Sequence, residues 1–320
     1  MWTRACILSL IAAVMAVAVS AAAQAQTYPS RPIRIVTAEA GGGGDFVARL
    51  IATGLRDSFS QPVIVDNRSS GVIPGEIVAK ATPDGYTLLN YGSTLWIGSL
   101  LRKTSYDPVR DFAPVTLSQS SPCILAVPLS STASSVRDLI ALAKAKPGQL
   151  NYASVAVGSV THLGAELFKS MAAVDIVHVN YKGTGAAIND LVSGQMQLMF
   201  ATAGSIAPQI KSGRLKALAV TSLQPSALMP GLPTVASSGL PGYEATSLNG
   251  VLAPAGTPRA IIGLLNREIT RVLNQPDVKA AFLKTGVESA PSSPDAFAAT
   301  IKDEMKKWGT VIREAGIRVE

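Results

Sequence analysis

Short runs of aliphatic and β-branched residues alternate along the chain with stretches in which apolar residues recur every three to four positions. The runs predict strands at residues 33–37, 63–66, 86–91, 124–127, 150–153, 176–179, 196–200, 215–221 and 250–253. The amphipathic stretches predict helices at 45–59, 136–145, 162–171, 186–193, 205–211 and 294–315. This alternation predicts an α/β fold with largely parallel sheets.

Two segments have the pattern of crossings between domains. Residues 124–127 end at Pro128, before a turn rich in serine and threonine, and residues 250–253 end at Pro254. A chain that crosses twice builds one domain from both of its ends and leaves a cleft with a hinge. We therefore predict a discontinuous first domain of residues 26–127 and 252–320, with residues 128–251 inserted as the second domain.

The first 25 residues have the pattern of a cleavable export signal. Arg4 precedes an apolar run at 7–19, and Ala23-Gln24-Ala25 places small residues around a cleavage point. An uncleaved anchor is the alternative, but the run is shorter than the ~20 residues that a bilayer-spanning helix needs. The pattern predicts that residues 1–25 are removed and that the mature protein is periplasmic.

Charge and composition argue against several classes of function. The formal net charge is +7, but Lys and Arg are not clustered, and no basic run is interleaved with aromatic residues, as nucleic-acid binding would require. Cys123 lies in an apolar run, which predicts a buried and inert thiol. The two histidines, His162 and His178, have no adjacent carboxylate pair and give no metal-site spacing.

A glycine-rich turn follows the first predicted strand, and Asp45 then opens an amphipathic helix. Four glycines allow a sharp turn whose N–H groups point outward at the positive end of a helix dipole, and this geometry favours an anion. A dinucleotide site is the rival interpretation, but Phe46 or Val47 stands where the third glycine of G-x-G-x-x-G is needed. Asp45 either contacts a ligand or only caps its own helix.

Polar residues elsewhere admit more than one interpretation. Ser159 and His162 superficially resemble a nucleophile and its base, but a histidine that braces a loop is commoner, and no G-x-S-x-G motif is present. Trp96 belongs either to a cleft wall or to the core. Ser93 and Thr94 follow a predicted strand, and the carboxyl ends of strands in open α/β sheets face the crevice, so both are candidates for ligand contacts.

Short segments in fixed order carry a family resemblance. They include Tyr28-Pro29-Ser30-Arg31-Pro32-Ile33, Pro83-Asp84-Gly85-Tyr86, Tyr106-Asp107-Pro108 and Val179-Asn180-Tyr181-Lys182-Gly183. In these segments the chain resembles the Bug family, the substrate-binding components of tripartite tricarboxylate transporters. The resemblance implies a two-domain, periplasmic-binding-protein-like (type II) α/β fold with two hinge crossings and a central cleft. It also implies capture of a small organic acid, delivery to inner-membrane transporter subunits, and neither catalysis nor a cofactor.

The resemblance further implies that two strand-to-helix loops, residues 38–45 and 154–162, face each other across the cleft, with residues 181–184 as a third wall. The ligand-binding residues predicted on this basis and from the strand ends are Ala40, Gly41, Gly42, Gly43, Asp45, Ser93, Thr94, Ser154, Ala156, Ser159, His162, Tyr181, Gly183, Thr184 and Ala201.

The chain departs from the family pattern at several of these positions. Ala38 and Ala40 replace an aromatic residue and a proline, and Ala201 replaces an aspartate, which argues against a ligand with an amino group. Glu39 faces either the cleft or solvent, and we favour solvent. The expected protein is a monomeric solute-binding protein for an aromatic or aliphatic carboxylate. A sensor that presents its closed form to a membrane receptor is the alternative.

Overall fold

The computed structural model describes residues 28–69, 71–155 and 157–318. The predicted export signal lies outside the described residues. In the described part of the chain, no helix is both long enough and apolar enough to cross a bilayer.

Strands and helices alternate along the chain, as the hydrophobic pattern predicts. In chain order the strands are β1 (Ile33–Thr37), β2 (Val63–Asn67), β3 (Thr87–Gly92), β4 (Phe112–Pro128), β5 (Asn151–Ser154), β6 (Val177–Asn180), β7 (Leu198–Thr202), β8 (Leu215–Val220), β9 (Thr246–Pro254) and β10 (Glu288–Ser289). The helices are α1 (Gly43–Phe59), α2 (Ile73–Ala79), α3 (Thr94–Leu101), α4 (Val136–Ala145), α5 (Val160–Ala172), α6 (Thr184–Ser193), α7 (Ala203–Lys211), α8 (Arg259–Leu273), α9 (Pro276–Lys284) and α10 (Pro294–Glu314).

Strand β4 belongs to both halves of the molecule. The strand order is β2-β1-β3-β9-β4-β7-β5-β6, and β8 and β10 also pair with β4. The first part of β4 pairs with β9 as far as Pro122, and from Cys123 onward β4 pairs with β7 and β8. The partners therefore change before residue 127, where the sequence pattern places the first crossing. The residue bounds of the two domains stay a prediction.

The expectation of largely parallel sheets is correct only toward the two outer edges. β1 pairs in parallel with β2 and β3, and β5 pairs in parallel with β6 and β7. At the centre, β4 and β9 are antiparallel to their partners. The reason is that one strand carries the chain out of the first half and the other brings it back, so the two run in opposite directions. Local hydrophobic patterns do not report strand direction.

Helices α2 and α3 are absent from the sequence prediction. In α3 the consecutive residues Leu95, Trp96, Ile97 and Gly98 are all buried, so no polar face marks the helical period. Trp96 is completely buried, packs edge-on against Phe297 with ring centroids 5.9 Å apart, and donates from Nε1 to Glu304 at 3.0 Å. Of the two interpretations of Trp96, the core position is correct, and this packing fixes α3 beside the central strands.

Candidate functional site

A cavity of about 430 Å³ lies between the two halves of the molecule, where several helices begin. Its lining includes the first residues of α3, α5, α6 and α7 or the residues just before them, and β9 contributes Ser247. The polar lining residues at the helix starts are Ser93, Thr94, Ser159, Thr161, Thr184, Thr202 and Ser205. Four helix N-termini from separate parts of the chain therefore meet at one cavity.

Helix N-termini are suited to an anion because their first N–H groups have no partner within the helix. The N-cap residues of α3, α6 and α7, namely Ser93, Gly183 and Thr202, make no side-chain cap hydrogen bond. In α5 the N-cap Ser159 accepts from the backbone N–H of His162 at 3.4 Å and is 2.8 Å from the Thr161 hydroxyl. Backbone donors, hydroxyl groups and the positive ends of four dipoles thus surround the cavity.

The charge on the cavity lining is positive. Among the described residues that line the cavity, Arg102 carries the only charged side chain, and there is no Asp or Glu. Cys123 is buried, as predicted, and burial raises the pKa of its thiol to about 12, so the group stays neutral. Apolar side chains form the rest of the wall, including Ile97, Leu101 and Met199. A positive, partly apolar cavity of this size fits a small organic anion.

A second pocket of about 220 Å³ adjoins this cavity, and Thr94 lines both. Its other lining residues come from β1 and the loop and helix start that follow it, from the segment between β2 and α2, from β3 and from β9: Thr37, Ala38, Gly44, Gly71, Asn90, Tyr91, Gly92 and Asn249. A Cβ atom on Gly71 would lie 4.0 Å from Nη1 of Arg102. The Arg102 guanidinium therefore lies near the junction of the two spaces.

In the glycine-rich first loop, the carboxylate of Asp45 takes the place that an external anion would have. Asp45 accepts from the Gly41 N–H at 2.9 Å, from Asn67 Nδ2 at 2.9 Å and from Arg49 Nε at 3.1 Å. Burial of the carboxyl raises its pKa, but the hydrogen bonds from Arg49, Gly41 and Asn67 outweigh this effect and the pKa lies below its ordinary value. Asp45 thus caps its own turn. The predicted residues Ala40, Gly41, Gly42 and Gly43 line neither described cavity.

The second loop lines the cavity directly and is braced from behind by a histidine. Val155 and residues 157–161 face the cavity, whereas Ala156 lies outside the described residues. His162 is 4% exposed and accepts at Nδ1 from the Gly158 N–H at 3.0 Å. Its ring stacks on His178 with centroids 4.3 Å apart. Its ring thus braces the loop, and the superficial nucleophile-and-base arrangement does not form.

Two other predicted residues have their hydroxyl groups engaged away from the cavity. Ser154 is completely buried, and its hydroxyl lies 2.7 Å from Nε2 of His178. Tyr181 donates to Asp190 at 2.6 Å; burial, followed by this hydrogen bond, raises the pKa of its hydroxyl to about 12. Neither Tyr181 nor Gly183 lines the cavity, although Thr184 does. Glu39 is exposed to solvent.

Of the predicted residues, the structure brings together Ser93, Thr94, Ser159, Thr184 and Ala201 at the larger cavity. Sequence reasoning missed Thr202, Ser205, Ser247 and Arg102. Thr202 and Ser205 carry the signal that identified Ser93, namely hydroxyl residues where a strand passes into a helix. Arg102 had no such signal, because it follows a helix that the pattern did not reveal.

Comparison with known proteins identifies the family of the chain. A sequence model described as the tripartite tricarboxylate transporter family receptor matches residues 47–317. The chain belongs to this receptor family. The protein BugT of Bordetella pertussis is 38% identical over 308 residues, which cover 94% of each chain. The resemblance to the Bug family is therefore confirmed.

Two solved structures extend the comparison to the fold. Rpa4515 of R. palustris, determined with adipate, is 35% identical, with a TM-score of 0.71 and coverage of 91% of this chain and 99% of that chain. MatC of Rhodopseudomonas palustris, with bound malate, is 29% identical, with a TM-score of 0.68 and coverage of 89% and 100%. The α/β fold of periplasmic-binding-protein type, with two domains and a central cleft, is thus the fold of this receptor family member.

Proposed function

We propose that the protein is a periplasmic solute-binding protein that captures a small organic carboxylate by closing its two domains. It then delivers the ligand to the membrane subunits of a tripartite transporter. The observation that carries this proposal is the meeting of four helix N-termini at one cavity that has no acidic lining residue in the described part of the chain. The family relationship supports it, and two related structures hold adipate and malate.

The proposed binding mode uses backbone N–H groups and hydroxyls. A carboxylate held at a helix start accepts charge-assisted hydrogen bonds that contribute roughly 1.5–3 kcal/mol each. Thr94 lies on one side of the cleft, whereas Ser159 and Thr184 lie on the other. A ligand that contacts both sides at once binds the closed form more tightly than the open form, and this difference in affinity drives closure.

The environments of the two possible nucleophiles, Ser154 and Cys123, favour a binding function over a catalytic one. The Ser154 hydroxyl is buried against His178, and the Cys123 thiol is held neutral by burial. Among the described residues, no three His, Cys, Asp or Glu side chains gather into a metal-binding group.

The test removes one backbone donor without breaking a helix. Proline is tolerated at the first helical position, so Thr184→Pro removes the first N–H of α6 while the preceding Gly183 already has the extended backbone that proline requires. Thr184→Val is the matched control, because it removes the hydroxyl and keeps the N–H. Val160→Pro applies the same change to α5.

Calorimetry on residues 26–320 with adipate, malate and benzoate measures the outcome. We expect at least one acid to bind, and at 100 times its dissociation constant to add about 2.7 kcal/mol of stability. A proline variant at a contacting helix start should bind it about 10- to 100-fold more weakly, whereas Thr184→Val should have a smaller effect. If both proline variants bind like the parent while melting normally, the helix N-termini are not the carboxylate site.

A further inference from the structure

A groove of about 850 Å³ lies on the face of the central strands opposite the ligand cavity. In β9, Ser247 and Asn249 line the cavity and the smaller pocket, whereas Thr246 and Leu248 line the groove. Successive side chains of a strand point to opposite faces of its sheet. The strand that carries the chain back between the two halves therefore separates the ligand cavity from the groove.

Each half of the molecule contributes one wall of the groove. Helix α10 forms the first wall, and it belongs to the first half because its Phe297 packs against Trp96 of α3. Helix α5 and Glu244 form the second wall. Glu244 is fixed to the second half, because the neighbouring Tyr243 donates to the carbonyl of Gly164 in α5 at 2.9 Å. The groove therefore lies between parts that move relative to each other if the two halves move.

Two polar contacts join the walls across the groove. The Lys307 ammonium of α10 donates to the Glu244 carbonyl at 3.2 Å. The Ser170 hydroxyl of α5 lies 3.4 Å from the Glu314 carboxylate of α10, to which it donates. The ammonium of Lys307 is also 3.5 Å from the carboxylate of Glu304, which holds it near the wall. A hydrogen bond with a charged donor is stronger than one between neutral groups, so the Lys307 contact is the main one.

From this arrangement we propose that the contacts across the groove hold the ligand cavity open and so lower the affinity for ligand. The inference rests on the domain closure proposed above. In that closure the halves rotate about β4 and β9, so walls on one face of these strands approach while walls on the other face separate. Closing the cavity thus breaks the hydrogen bonds of Lys307 and Ser170. The apparent affinity falls with the fraction of the free protein that is able to bind, and these contacts reduce that fraction.

The test asks whether breaking the contacts makes the protein bind ligand more tightly. Lys307→Met removes the ammonium and keeps an unbranched side chain. Lys306→Met is the matched control, because it removes the same charge from an exposed residue of the same groove, and neither contact across the groove involves it.

A second pair of variants changes bulk instead of charge. Ser170→Phe removes the weaker contact and places a ring between the two walls, which should force them apart. Met171→Phe places the same ring on the adjacent residue of α5, which is 37% exposed and lies outside the groove lining.

Calorimetry on residues 26–320 with adipate, malate and benzoate measures affinity, and small-angle X-ray scattering measures closure of the ligand-free protein. We expect Lys307→Met and Ser170→Phe to bind the tightest-binding acid about 3- to 30-fold more tightly than the parent. Without ligand, both should have a smaller radius of gyration than the parent. The two controls should behave like the parent. A residue that only supports the fold would weaken binding when replaced, so a gain in affinity distinguishes the two roles.

The outcomes separate this inference from the proposed function. Affinities at or below that of the parent in both Lys307→Met and Ser170→Phe would overturn the inference and leave a carboxylate-binding protein. An equal gain in Lys306→Met and Lys307→Met would do the same, since net charge would then explain the gain. A gain in Ser170→Phe alone would contradict the part assigned to Lys307. If the parent binds none of the three acids, the proposed function fails, and scattering of the ligand-free variants then decides the inference by itself.

Discussion

Two loops, residues 38–45 and 154–162, each connect a strand to a helix, but only the second lines the larger cavity. In the first, β1 passes through four glycines into α1, and Asp45 accepts the Gly41 N–H and is held by Asn67 and Arg49. In the second, β5 passes into α5, and His162 holds Gly158 from behind while the loop lines the cavity. A glycine-rich turn at a helix start is thus insufficient for a ligand site, because the protein's own carboxylate can occupy it.

The two loops differ in the side chain that holds each of them in place. The first loop is braced by the buried carboxylate of Asp45, which accepts the backbone N–H of Gly41. The second loop is braced by the neutral imidazole of His162, which is buried and stacks with His178 and Tyr152. We therefore expect substitutions in the first loop to affect mainly stability, and substitutions in the second loop to affect both stability and ligand binding.

The largest effect is expected from Asp45→Ala. The substitution leaves Arg49 and the Gly41 N–H without their buried partner, so the free energy of unfolding should fall by about 2–3 kcal/mol. Affinity for the tightest-binding acid should change less than tenfold. Urea denaturation and calorimetry measure both quantities, with Asp57→Ala on the exposed face of α1 as the control. Loss of binding in a folded Asp45→Ala protein would show that the first loop contacts ligand in the closed form.

The pH dependence of stability at the second loop is expected to be an effect of about the same size. Burial, followed by the nearby His178, lowers the pKa of His162 from its ordinary value of 6.5 to about 4, although Glu166 opposes the shift and Lys169 adds to it. Between these values the unfolded chain binds more protons than the folded chain, so stability falls as the pH falls from about 6.5 to 4. Below pH 4 this contribution no longer changes. The fall should amount to about 2–3 kcal/mol.

His162→Asn isolates this contribution, because an amide oxygen can accept from Gly158 but does not titrate. The parent should lose more stability than the variant between pH 6.5 and 4, as measured by thermal unfolding. Parallel curves for the two proteins would contradict the assignment. Asp45 should stay ionised across this range, because its pKa is lowered, so the first loop should keep its contacts while the second loses its brace.

The smallest effect comes from a pair of glycine substitutions. Gly158 has φ +79°, a conformation that costs an alanine about 1–2 kcal/mol, and it lines the cavity. Gly158→Ala should lower both stability and affinity. A Cβ on Gly43 would meet only Gln119 Nε2 at 4.0 Å, so Gly43→Ala should change stability by less than about 0.5 kcal/mol. A larger loss of affinity from Gly43→Ala than from Gly158→Ala would reverse the comparison of the two loops.

Much of the fold was predictable because its signals are local. The amphipathic period of α1 and of α10 and the apolar runs of β1 and β8 each reflect which side of a single element is buried. Helix α3 and the first part of β4 were missed for a related reason. In α3 four consecutive residues are buried, and in the first part of β4 the polar residues Thr116, Ser118 and Gln119 are buried as well, so polarity does not mark an exposed face in either element.

Some residues of the candidate site could likewise be predicted from the local sequence, and others could not. Ser93 and Thr94 were predictable, because residues that follow a strand of an open α/β sheet face the cleft, whereas Thr184 was expected only from the family resemblance. Gly41 was a candidate for a different reason, because the backbone N–H groups of a glycine turn at a helix start favour an anion. In the structure the Gly41 N–H donates to Asp45, which also accepts from Asn67, 22 residues further along the chain, and the role of Gly41 in ligand binding stays a prediction.

The sequence alone determined the family, the alternation of strands and helices, and the presence of three of the four helices that begin beside the cleft. Only the tertiary structure decided that β4 and β9 make the centre antiparallel, that the second loop rather than the glycines lines the cavity, and that Arg102 reaches it. Local patterns record how deeply each residue is buried. The direction of a side chain is decided by partners far away in the chain, such as Glu304, which anchors Trp96 and with it α3 from 208 residues away.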